Sequence, residues 1–108
     1  MLHVIQRADL IANPKTETVK FEGERYGAEV SFFIAHLSAE LHQHPYAETF
    51  VIHAGRARVT AGKQEIEAGL AEILVVGAGT PHKFERLGPE RLEIVCIHAS
   101  GRMITQWL

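Results

Sequence analysis

The stretch whose reading decides the fold is Leu41-His42-Gln43-His44-Pro45-Tyr46-Ala47-Glu48-Thr49-Phe50-Val51-Ile52-His53-Ala54-Gly55. Three side chains able to ligate a metal, His42, His44 and Glu48, lie close together in it. His42 and His44 are two residues apart, so extended backbone turns both imidazoles to one face, and Glu48 keeps the even spacing on the strand that follows. Pro45 carries no backbone donor and sits at strand ends, edges or bulges, which places an interruption between the histidine pair and the glutamate.

A second cluster follows in Glu72-Ile73-Leu74-Val75-Val76-Gly77-Ala78-Gly79-Thr80-Pro81-His82-Lys83-Phe84. Here an apolar strand turns sharply into a histidine. Gly77 and Gly79 allow backbone angles that other residues resist, so the chain can reverse and deliver His82 toward the first cluster. Three imidazoles and a carboxylate buried without a cation would each need another polar partner, whereas one cation satisfies all four. The expected cofactor is therefore one divalent transition metal ion held by His42, His44, Glu48 and His82. This donor set suits Fe, Mn, Ni, Co, Cu and Zn alike. His3, His53 and His98 fall outside both clusters and read first as ordinary polar or half-buried side chains.

Outward from these clusters, short runs rich in Val, Ile, Phe and Thr alternate with Gly, Pro, Asn or Ser, the pattern of strands and turns. The spacing predicts strands over Thr16 to Phe21, Ala28 to Leu37, Glu48 to Ala54, Arg56 to Ala61, Gln64 to Ala68, Glu72 to Val76, His82 to Leu87 and Arg91 to His98. Gly55, Ala61-Gly62-Lys63 and Gly88-Pro89 stand at hairpin-like separations, which predicts a meander closing into a sandwich or barrel. Val4 to Ile11 fits one or two helical turns. The tail Met103-Ile104-Thr105-Gln106-Trp107-Leu108 fits either strand or helix.

The 108 residues are near the common size of one domain, so residues 1–108 are read as a single unit. With 46% hydrophobic and 22% charged residues the chain is ordinarily globular, and a formal charge of -2 gives no basic footprint for nucleic acid. No apolar run approaches the roughly 20 residues of a membrane span, and Met1 to Arg7 lacks the pattern of a secretory leader. A single cysteine, Cys96, excludes an intramolecular disulfide and fits a reducing cytoplasm.

The two clusters resemble the motifs of the cupins, G-x5-H-x-H-x3,4-E-x6-G and G-x5-P-x-G-x2-H-x3-N. In the first motif, spanning about residues 36–55, His42, His44 and Glu48 fall on the ligand positions and Gly55 on the closing glycine, while His36 stands at the opening one. In the second, about residues 71–86, Gly79 and His82 match. Ala71 replaces the first glycine, Gly77 replaces the proline, and Glu85 or Arg86 stands near the asparagine. The resemblance implies an all-β fold, a small antiparallel β-barrel or jelly roll of the double-stranded β-helix kind.

Four protein ligands leave two positions of a six-coordinate ion open, and one carboxylate leaves the centre about one unit positive. A small oxygen-bearing or anionic ligand suits it. By strand parity Phe50 and Ile52 share the face of Glu48, Phe84 that of His82, and Leu92, Ile94, Cys96 and His98 face inward together. Tyr46, Phe50, Phe84, His36 and His98 are the candidate substrate-pocket residues. Two functions follow from the resemblance: a metal-dependent enzyme of dioxygenase or isomerase type, or a non-catalytic module that binds or senses a small molecule. The exposed edges of so small a barrel, with the apolar tail, predict a homodimer.

Overall fold

The computed structural model describes residues 40–108 with their side chains, the backbone of residues 18–20, 29–35 and 39, and the isolated positions Leu2, Val4 and Gln6. The expectations placed on Val4 to Ile11 as a helix, on His3 and on His36 lie outside the described residues. Ten strands are formed among those described: β1 (Thr18–Lys20), β2 (Glu29–Ala35), β3 (Ala39–Gln43), β4 (Glu48–Ala54), β5 (Arg56–Ala61), β6 (Gln64–Ala68), β7 (Ile73–Val76), β8 (His82–Leu87), β9 (Leu92–His98) and β10 (Gln106–Trp107). No helix among the described residues is long and apolar enough to cross a membrane.

The strands form two antiparallel five-stranded sheets, ordered β1-β2-β9-β4-β7 and β10-β3-β8-β5-β6. This is the jelly-roll architecture expected from the sequence, but the connections differ from a meander. Of the three steps read as hairpins, the one around Gly62 is a hairpin within one sheet, joining β5 to β6. At Gly55 and at Gly88-Pro89 the chain instead crosses from one sheet to the other. Short Gly-containing separations are common to both kinds of connection, so loop length alone could not tell them apart.

Period-2 alternation fixes which side chains enter the space between the sheets. On β4 the buried set is Glu48, Phe50 and Ile52; on β8 it is His82 and Phe84; on β9 Leu92, Ile94, Cys96 and His98 are buried, as is Glu93 on the opposite face. Phe50, Ile52, Ala57, Val59, Ala68, Val76, Phe84, Leu92, Ile94 and Cys96 make one continuous core. Burying a large apolar side chain of this kind contributes about 1.5–3 kcal/mol. Glu48, His82 and His98 are buried at strand ends, so the core grades into a polar cluster at one end of the sandwich.

Candidate metal centre

His42 ends β3 one residue before its terminus and stands directly across the ladder from His82, the first residue of β8. Their ring centroids are 4.3 Å apart. β3 was not foreseen as a strand: Glu40-Leu41-His42-Gln43 has a single apolar residue, and its extended form depends on ladder bonds to β8 and β10. His44 follows β3 in the loop before β4, and Glu48 opens β4 on the facing sheet. The Gly77-Ala78-Gly79 turn is tied into this arrangement, since the Gly79 N–H donates to the His44 carbonyl at 2.7 Å. Gly79 takes a positive φ of 69°, which glycine adopts without strain.

The four side chains predicted as ligands converge and are all buried, and one ligand atom from each lies within 4.8 Å of every other. The Nε2 atoms of His44 and His82 stand 2.9 Å and 3.1 Å from the Glu48 Oε1. Around an ion with ligand bonds of roughly 2.1 Å, adjacent octahedral donors sit about 3 Å apart, so this spacing fits a shared ion.

Each imidazole is oriented by a backbone carbonyl. The Nδ1–H of His42 donates to Glu40 O at 2.7 Å, that of His44 to Ile104 O at 2.7 Å, and that of His82 to Thr80 O at 2.8 Å. A carbonyl only accepts, so the Nδ1 proton is fixed in all three rings and the neutral form presents its Nε2 lone pair inward. This is the support that a metal-binding histidine requires. Without a cation, lone pairs of Nε2 and of the carboxylate would face one another, and protonation of a ring would be needed instead.

The electrostatics follow from burial and from this crowding. Burial pushes the His42 imidazole below its ordinary value, more than the bond to the Glu40 carbonyl restores, and the neighbouring His82 and His44 add to the lowering. Burial also opposes charge on His82, but its hydrogen bond to Glu48, the Thr80 carbonyl and the Glu48 charge outweigh it and hold the ring above its ordinary value. Burial pulls the Glu48 carboxyl upward; the His82 hydrogen bond and the charges of His98, His44 and His82 overcome that and leave it below the usual carboxylate range. The centre is thus anionic at Glu48, with His82 drawn toward protonation beside it.

The structure brings two more of the foreseen residues to the centre. His98 is 2% exposed and lies opposite Glu48 on the β4–β9 ladder, with its Nε2 3.2 Å from Glu48 Oε2. Read first as an ordinary histidine, it contacts the Glu48 carboxylate. Tyr46 stacks on His44, with interplanar angle 10° and centroids 5.2 Å apart, and its hydroxyl is 2.7 Å from His98 Nδ1. Phe50 packs edge-on against His82 and against Phe84, forming an apolar wall behind the cluster. His53 points away from the core, on the exposed side of β4.

Sequence reasoning missed the contribution of the tail. β10 pairs with β3, Trp107 opposite His42 and Gln106 opposite Gln43, and the Leu108 N–H donates to Leu41 O at 3.1 Å. The Ile104 carbonyl holds His44 while the Ile104 N–H donates to the Tyr46 hydroxyl at 3.2 Å. The only signal in the sequence was the apolar character of Ile104 and Trp107.

Comparison with known proteins agrees with this geometry. No curated protein matches the chain. An uncharacterised conserved protein from Klebsiella pneumoniae with a double-stranded β-helix domain superposes with a TM-score of 0.79 at 18% identity, covering 99% of this chain and 97% of that one. The oxalate decarboxylase of Bacillus subtilis, an enzyme with Mn(II) centres, gives 0.78 at 17% identity over 84% of this chain. The oxalate decarboxylase of Lactobacillus farciminis in complex with formate gives 0.76 at 14% identity over 84% of this chain. The chain spans only 27% and 30% of those two decarboxylases. These likenesses concern the fold. The family model described as a cupin domain matches residues 32–98, and the chain belongs to the cupin family.

Proposed function

We propose that this cupin is a divalent-metal protein whose ion is held by His42, His44, Glu48 and His82, and that it acts as a metal-dependent enzyme of dioxygenase or isomerase type on a small oxygen-bearing or anionic substrate. The observation that carries the reading is the set of three imidazoles fixed through Nδ1 to backbone carbonyls with their Nε2 atoms gathered beside Glu48. When bound, the ion would supply Lewis acidity and, for a redox-active metal, electron transfer. The chain itself holds the ligands in one tautomer, keeps Glu48 ionised, and screens the centre from water with Phe50, Phe84 and Ile52. The Mn(II) centres of one structural relative and the formate bound to another support the metal and the substrate class.

The test is to reconstitute the protein with Fe(II) or Mn(II) and follow oxygen uptake and the turnover of small carboxylates and enediols. Metal-dependent turnover supports the enzyme reading. A loaded protein that binds such compounds without converting them contradicts it.

One observation favours the non-catalytic alternative. The tail is attached to the centre through the Ile104 carbonyl on His44 and Trp107 on His42, so ligand occupancy would be conveyed directly to the tail of a sensing module. We place the protein in the cytoplasm, consistent with a buried, reduced Cys96. A homodimer is the proposed assembly, supported by the apolar edge strand β7, where Ile73 and Val75 are both 67% exposed. Light scattering should return the mass of two chains; a monomer mass would contradict it.

A further inference from the structure

We propose that His98 and Tyr46 form a positioning chain that determines which oxygen of Glu48 faces the metal; this rests on the metal reading above. Glu48 offers two oxygens with distinct surroundings. Oε1 lies beside Nε2 of His44 and of His82, at 2.9 Å and 3.1 Å. Oε2 lies 3.2 Å from Nε2 of His98. His98 is nine-tenths and more buried and shares the ladder position of Glu48, so the contact is set by strand register rather than by a mobile side chain.

The tautomer of His98 follows from its two neighbours. The Tyr46 hydroxyl lies 2.7 Å from His98 Nδ1 and donates its proton there, so the proton of the neutral His98 ring sits on Nε2, which faces Glu48 Oε2 at 3.2 Å. That hydroxyl in turn accepts the Ile104 N–H at 3.2 Å. His98 is therefore protonated on the opposite nitrogen from His42, His44 and His82, whose Nδ1–H groups donate to carbonyls. Its Nε2–H is turned to the carboxylate and offers no lone pair to the ion. The chain Tyr46 O–H to His98 to Glu48 occupies Oε2 and leaves Oε1 as the single coordinating oxygen.

Positioning groups behind a metal ligand typically alter affinity 10–100-fold. The test uses Co(II), whose visible absorption reports coordination geometry, with affinity measured by chelator competition on wild type, Tyr46→Phe, His98→Gln, His98→Leu and the double variant Tyr46→Phe/His98→Leu. Tyr46→Phe keeps the ring on His44 and removes only the hydroxyl; it should weaken Co(II) about tenfold and shift the bands. His98→Leu should weaken it more, adding Tyr46→Phe to it should cost nothing further, and His98→Gln, whose amide can donate to Oε2, should recover much of the loss. Wild-type affinity and bands in both Tyr46→Phe and His98→Leu would overturn the proposal, as would a Tyr46→Phe effect that persists in the His98→Leu background. Should His98→Leu not fold, Tyr46→Phe decides alone: unchanged affinity and bands overturn it. A wild type that takes up no Co(II) overturns the metal reading itself, and this inference with it.

Discussion

The Nδ1–H of His44 donates to the carbonyl of Ile104 at 2.7 Å, across 60 residues of sequence. A predicted metal ligand is therefore oriented by the tail, and tail docking and metal binding are linked. A variant lacking residues 104–108 should bind a divalent ion about tenfold or more weakly, since His44 loses the acceptor that fixes its tautomer. Chelator competition measures this, and an affinity equal to that of the full chain would break the proposed link.

The metal-free protein should show a bell-shaped pH dependence in the contribution of the His82–Glu48 pair. The folded pKa of His82 is raised above 6.5, so its contribution is fully present below that value and is lost as pH rises through the folded pKa. The folded pKa of Glu48 is lowered below 4.5, so its contribution is present above 4.5 and is lost as pH falls through the folded pKa. The melting-temperature difference between wild type and His82→Gln, measured with chelator present, should peak between those two reference values. A difference that is flat from acid to neutral pH would contradict the assignment.

Gly55 and Gly79 separate a steric requirement from a conformational one. Both have positive φ, at 78° and 69°. A Cβ on Gly55 would lie 2.5 Å from the Arg91 carbonyl oxygen and 3.0 Å from Leu92 Cα, whereas one on Gly79 meets nothing within 4 Å. Gly79→Ala should cost about 1–2 kcal/mol, the left-handed penalty alone. Gly55→Ala should cost clearly more, because backbone at the crossing between sheets must move. Thermal melts compare them, and equal losses would show that Arg91 and Leu92 yield freely.

The parts of this molecule that were legible in the sequence are those whose information is local. Sequence reading placed β4, β5, β6 and β8 at their observed bounds, and β7 and β9 within one residue; on β4, β5 and β8 this follows from alternation of a buried face, whereas β6 and β7 are bounded by turn residues rather than by a buried face. The grouping of His42, His44, Glu48 and His82 as candidate ligands was legible from the spacing of the two motifs. What stayed hidden depends on register between distant strands. His98 was foreseen as inward-facing and as a pocket residue, but its contact with Glu48 was not, because that depends on the β4–β9 register. Strand β3 carries too little apolar patterning to declare itself, and the two residues of β10 are a strand only because β3 is beside them. The crossings at Gly55 and Gly88 resemble hairpin turns in sequence and become crossings through the packing of two sheets.

The central claim is that one divalent ion is shared by His42, His44, Glu48 and His82, and elemental analysis of the protein, purified without an affinity tag and reconstituted with divalent transition metals, tests it most directly. The account predicts about one ion per chain in wild type and in His53→Ala, whose side chain faces solvent, and strongly reduced content in His44→Ala and Glu48→Gln. Equal metal content in all three variants would contradict it.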